Sequence, residues 1–202
     1  MTHAKRLGRN WLALAAIAVV AGCVSQETKR DAINDINEAF KVEYEAALAK
    51  DGSHVVNAGP GDAYDAVYAS FVKLGLVVRQ GSRGLGFISA EGPAPLPLDR
   101  SEWDRAAAND LPKTKELLRR HIGALAEFFH FEPEGLDTVM TATIIGARDG
   151  AEISFTMRMR EVVPAKSDLP RRDYPPPTAL RIGLEKLWSA VDRELATLPR
   201  KP

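Results

Sequence analysis

The sequence predicts an α+β fold: an antiparallel sheet of about five strands with helices packed on one face. Three observations lead there. Ala151 to Val162 alternates, with Ile153, Phe155, Met157 and Met159 on one side and Glu152, Ser154, Thr156, Arg158 and Arg160 on the other, the pattern of a strand in a sheet covered on one face only. Asp149-Gly150, just ahead of it, is a strong hairpin signal that pairs this strand with the β-branched run Thr138 to Ile145. Near the end of the chain Leu180, Leu184, Leu187, Trp188, Val191 and Leu195 make the most regular helical stripe, suited to lie across the sheet.

Taken in order, the chain opens with Lys5, Arg6 and Arg9 and no acid, followed by an apolar run from Trp11 to Ala21. This is the charged and then apolar pattern of a secretory signal, short for a membrane-spanning helix. The run ends in Val20-Ala21-Gly22-Cys23, an aliphatic residue, two small residues and a cysteine, which resembles the lipobox of bacterial lipoproteins. The resemblance implies cleavage between Gly22 and Cys23, diacylglycerol on the Cys23 thiol and acylation of the new amine. Two or more acyl chains give stable anchoring where one does not. Position 24 is valine; in Gram-negative lipoproteins an aspartate there favours the inner membrane, so the resemblance implies the outer membrane, facing the periplasm. Cys23 is the single cysteine, so no disulfide framework exists within the chain.

Ser25 to Lys50 has no proline or glycine and reads as one amphipathic helix ended by Asp51-Gly52-Ser53. Ile33, Ile36, Phe40, Tyr44 and Leu48 fall on one face. That stripe either folds back over the domain or serves a stalk as the surface for an envelope protein partner or a second copy. The expected organisation is therefore 1–22 signal peptide, 23–52 lipidated N-terminus and stalk, and 53–202 globular domain.

Within the domain, His54 to Ala58 reads as a strand and Gly59-Pro60-Gly61 as a turn. A helix is expected from Asp62, as N-cap, to Leu74, with Gly75 beyond its end. Leu76 to Gln80 and Leu85 to Glu91 read as strands joined by 81–84. The glycines at 81, 84 and 86 do not make a phosphate loop, because a β-like segment rather than a helix N-terminus follows them. Gly92-Pro93 opens a helical insertion at about 92–136, with a short helix at Ser101-Glu102-Trp103 and a longer one from Lys113 to His130. Leu118, Ile122, Leu125 and Phe129 mark its buried face, and Phe128 and Phe131 either extend the core or form an aromatic patch. A Pro-rich loop, Asp168 to Pro177, leads to the last helix. The segment from Tyr64 to Glu91, with Leu74-Gly75-Leu76 and Gly84-Leu85-Gly86-Phe87-Ile88, is similar to small α+β domains of envelope lipoproteins, among them the lipoprotein components of outer-membrane β-barrel assembly machinery. The likeness extends to the terminal helix.

Charge narrows the function classes. The chain carries 27 basic and 27 acidic side chains, and losing Lys5, Arg6 and Arg9 with the signal leaves a net charge of −3. A nucleic-acid partner would want a basic face, so none is expected. His54, His121 and His130 lack helical metal-site spacing, no second cysteine assists them, and no Gly-x-Ser-x-Gly elbow occurs; no cofactor is expected. Arg158 and Arg160, with Arg171 and Arg172, form a candidate strip for an anionic partner such as lipid headgroups or peptidoglycan. The expected function is that of a non-enzymatic envelope scaffold, adaptor or accessory subunit. The alternatives are a cell-wall glycan enzyme using loop carboxylates such as Glu132, Glu134 and Asp137, and a carrier of an apolar ligand between sheet and helices.

Overall fold

The structure is a computed structural model and describes residues 24–162 and 173–198. Gly22, Cys23, Arg171 and Arg172 lie outside the described residues. The element order is α1 (Gln26–Asp51), β1 (Ser53–Val56), α2 (Pro60–Lys73), β2 (Val77–Ser82), β3 (Phe87–Pro93), α3 (Arg100–Ile122), a 3₁₀ turn (Gly123–Phe128), β4 (Leu136–Ala147), β5 (Gly150–Glu161) and α4 (Pro177–Thr197). The fold is α+β, with one five-stranded sheet in the order β1-β5-β4-β3-β2, antiparallel throughout.

The β4–β5 hairpin forms the centre of the sheet, in register from Leu136 opposite Glu161 to Ala147 opposite Gly150. Its inward residues Met140, Ala142, Ile144, Ile153, Phe155 and Met157 are buried, as are Ile88 and Ala90 of β3. Against them pack Val67 and Phe71 of α2 and Leu180, Leu184, Leu187 and Val191 of α4. These side chains fill the layer between sheet and helices, the place where a carrier would hold an apolar ligand. The uncovered face carries the polar half of each alternating strand, as the 2-residue period requires.

Local chemistry explains how α2 delivers its chain to the sheet. The helix starts two residues before Asp62, because Pro60 occupies its first turn after Gly59, where a missing amide is harmless. It ends in a Schellman arrangement: Leu76 N–H donates to the Phe71 carbonyl and Gly75 N–H to that of Val72, each at 3.0 Å, with Gly75 at φ 83°. The following hairpin turns two residues later than expected, at 83–86. Gly86 is left-handed there at φ 59°, and a Cβ would collide with the Ile144 carbonyl oxygen.

Two expectations about the helices need correction. The helix from Ser25 does form, capped by the Ser25 hydroxyl oxygen accepting from the Thr28 amide at 3.0 Å, but it is no free stalk. Ile36, Phe40 and Tyr44 are buried, along with Ala32 and Ala47, while Ile33 and Leu48 are half-buried. They face the chain's own Leu118, Ala126, Leu187 and Val191, so Ile33, Ile36, Phe40, Tyr44 and Leu48 are not a surface open to a partner. Of the two roles weighed for this face, the structure takes the fold-back over the domain; periodicity reports that a stripe is covered and not by what.

The insertion holds one helix where two were expected. α3 runs 23 residues straight through Pro112. Its start is fixed by a capping box, in which Asp99 accepts from the Glu102 amide and Glu102 from the Asp99 amide, both at 2.8 Å. Contacts on both sides of the proline hold it: before it Trp103 and Ala106 pack on Leu136, Met159 and Ala179 and Asp110 accepts from the Thr178 amide at 2.8 Å; after it Leu118 packs with Ile36 and Phe40. His121 and His130 therefore fall on different elements, His130 following the 3₁₀ turn.

Candidate partner-binding surface

The uncovered sheet face is assembled by register. Val55 of β1 and Ile145 of β4 both lie opposite Glu152 of β5. Phe87 lies opposite Thr143, which in turn faces Ser154. Directly opposed residues stand about 5 Å apart, so Glu152 lies between Val55 and Ile145 and Thr143 beside Phe87 at this end of the face; Leu85, in the adjoining turn, is 81% exposed. Val55, Phe87 and Ile145 are exposed too. The middle of the face is hydroxylic: the Ser53 and Ser154 hydroxyls are 2.8 Å apart, and those of Thr141 and Thr156 are 2.5 Å apart.

The far end of the same face is charged and internally neutralised. Arg160 donates to Glu91 at 2.6 Å and to Asp137 at 3.3 Å, and Arg79 donates to Glu91 at 2.7 Å. The hydrogen bond from Arg79, reinforced by Arg160, holds the Glu91 carboxyl below its ordinary range. Arg158 turns away toward the outer edge of β5, where its guanidinium lies 5.3 Å from the Tyr44 ring centre and 4.9 Å from that of Tyr174. Of the expected basic strip, Arg160 is paired with two carboxylates, whereas Arg158 stands beside two aromatic rings and keeps its charge; Arg171 and Arg172 lie outside the described residues. Both arginines alternate outward as the sequence predicted, but the acids that neutralise Arg160 come from β3 and β4, and only pairing brings them close.

Sequence reasoning missed the apolar end of this face. Val55, Phe87 and Ile145 each stand alone in a different strand, and no local pattern links them. Alternation within β4 could have placed Ile145 outward, because Ile144 is its inward neighbour.

Two grooves flank the exposed ridge of α4. One, about 630 Å³, lies between α3 and α4 over a floor of Ala106 and Ile182, with Arg105, Lys186 and Arg193 among its walls. Lys186 donates to Glu102 across it at 2.6 Å, and this bond is the largest cause of the lowered Glu102 pKa. The second, about 370 Å³, is lined by Asp51, His54, Glu185, Trp188 and Asp192. His54 stacks on Trp188 there at 4.1 Å between ring centres, while the indole N–H donates to the Asp51 carbonyl at 2.7 Å. Among the described residues no group of three or more His, Cys, Asp or Glu could hold a metal ion. Of the loop acids weighed for glycan chemistry, Glu134 pairs with Arg100 and Asp137 with Arg160. The Glu134 carboxyl is held below its ordinary range by its own backbone amide and then by Arg100.

No helix among the described residues is long and apolar enough to cross a membrane. No protein-family model, curated protein or solved structure matches the chain.

Proposed function

We propose that the chain is a lipid-anchored lipoprotein of the bacterial envelope that works as a non-enzymatic adaptor, docking a protein partner on its uncovered sheet face. The observation that carries the reading is Val20-Ala21-Gly22-Cys23 at the end of an apolar run, two residues before the capped start of α1. A signal, a lipidation site and a folded domain then follow one another without spare chain. The outer membrane, facing the periplasm, is the location that Val24 favours.

The docking surface is argued by elimination and by composition. The α1 stripe is covered by its own domain, and Arg160 of the expected strip is paired with Glu91 and Asp137. Exposed at one end of the uncovered face are Val55, Phe87 and Ile145, with Leu85 in the adjoining turn, set among Glu152 and Thr143 and bordered by hydroxyls and a charge network. Exposed aromatic and aliphatic side chains among polar ones suit a protein interface.

The test is a photo-crosslinking residue at Phe87 in cells. The expected result is a discrete crosslinked protein that disappears when Ile145→Asp is added and persists with Val72→Asp, since Val72 is exposed on α2 at the opposite face. A crosslink indifferent to Ile145→Asp, or none, rejects this face as the docking surface.

A further inference from the structure

We propose that the 3₁₀ turn is a second membrane contact, with Phe128 entering the headgroup–acyl boundary of the bilayer that holds the chain's own lipid. This rests on acylation of Cys23. Only Val24 and Ser25 separate Cys23 from the first helical residue, Gln26, and two extended residues reach about 7 Å. Because α1 is packed along its length against α3 and α4, no flexible stalk lifts the domain away. The bilayer must meet whatever surface lies beside the first part of α1.

That surface can be located from ion pairs. Glu43 meets Lys113 and Asp35 meets His121, each at 2.7 Å, so α3 runs antiparallel to α1 and its C-terminal end lies toward the tether. The 3₁₀ turn doubles back along α3: Lys115 donates to the Glu127 carbonyl at 2.7 Å and Arg119 to its carboxylate at 2.5 Å. Residues 115–119 therefore lie opposite about 37–41 of α1, which puts Phe128 about 20 Å along α1 from its first turn. A domain tethered at one end and inclined on the surface brings this point down.

The turn is built to hold an aromatic outward. Ala126 is fully buried beside Phe40 and Leu118, and Phe129 and Phe131 pack on the same cluster, yet Phe128 is 77% exposed. One exposed phenylalanine is ordinary on a protein surface; beside a lipid anchor it is a wedge, because aromatic side chains settle at the interface. Arg120 and His130 are exposed nearby in the chain, suited to headgroup phosphates. The acidic outer face of α1, with Asp31, Glu38 and Glu45 exposed, favours water.

The lipidated protein offers a clean test, since its only cysteine is acylated. Phe128→Cys and Leu85→Cys each accept one thiol-reactive fluorophore, and the labelled proteins are placed in phosphatidylethanolamine–phosphatidylglycerol vesicles containing brominated lipid. Leu85 belongs to the end of the sheet remote from the tether: Ser53, directly after α1, pairs with Ser154, Tyr44 lies at Arg158, and α1 thus runs away from the Ile145 end. Quenching several-fold greater at 128 than at 85 is expected. Equal quenching, or none at 128, overturns the contact while leaving the anchor intact. A second fluorophore on Cys23 would reveal an unacylated thiol and overturn the premise together with the proposal.

Discussion

Glu102 joins two helices through one carboxylate. It closes the capping box with Asp99 and accepts from Lys186 of α4 at 2.6 Å. Its folded pKa lies below the ordinary 4.5, first because of the Lys186 hydrogen bond. A depressed folded pKa contributes stability that is full above the unfolded value and is lost as pH falls through the folded one. Glu43 and Glu91 shift the same way, led by hydrogen bonds from Lys113 and Arg79. Urea denaturation should therefore be nearly pH-independent from neutrality to about pH 5 and lose stability in the acid range below about 4. Glu102→Gln should cost about 1 kcal/mol at neutral pH and shrink that acid loss; an unchanged acid limb would assign it to other groups. Tyr44 gives the opposite case. Its hydroxyl is buried with no hydrogen-bond partner among the described residues, and burial pushes its pKa up. Tyr44→Phe removes an unsatisfied group and keeps the ring, so stability should hold or rise by up to about 1 kcal/mol; a loss above that would mean that the hydroxyl is bonded in solution.

At the scale of elements, α1 separates what a sequence states from what it withholds. Ser25, the absence of proline and glycine, and the 3- and 4-residue apolar spacing were enough to place the helix within one residue of its observed ends. The covering partner depended on α3 and α4, which are far away in sequence. Phe40 tests the outcome, being buried and stacked on Phe131 at 5.9 Å between ring centres. Phe40→Ala should cost about 3–5 kcal/mol in a soluble chain beginning at Val24, whereas the same change on a free stalk would leave the midpoint almost unmoved. The insertion teaches the converse. Pro112 is a local argument for a break, and it loses to Trp103, Ala106 and Asp110 on one side and Leu118 on the other, whose contacts hold the helix continuous. The β4–β5 hairpin was legible because its signals are local, a strict alternation and Asp149-Gly150 ahead of it, although the loop itself is Arg148-Asp149, one residue earlier, and Gly150 already pairs with Ala147.

For the whole molecule, sequence alone supplied the fold class and the count of strands, but not their order. β1 and β2 stand at opposite edges of the sheet, and that order decides which outward residues meet. It gathers Val55, Phe87 and Ile145, and it places Glu91 and Asp137 beside Arg160. Arg160 looked cationic along its own strand and is paired with acids from two others. The same geometry sends α1 toward the Arg160 end, so the proposed protein surface and the proposed membrane contact occupy opposite ends of the domain. The anchor itself is the premise of that arrangement, and one measurement bears on it most directly: the mass and N-terminal fragmentation of the mature protein isolated from bacterial membranes. The account expects a chain that begins at Cys23 with diacylglycerol on its thiol, and its disappearance from the membrane fraction with Cys23→Ser. A membrane-associated chain that retains residues 1–22, or carries a free thiol at Cys23, would contradict it.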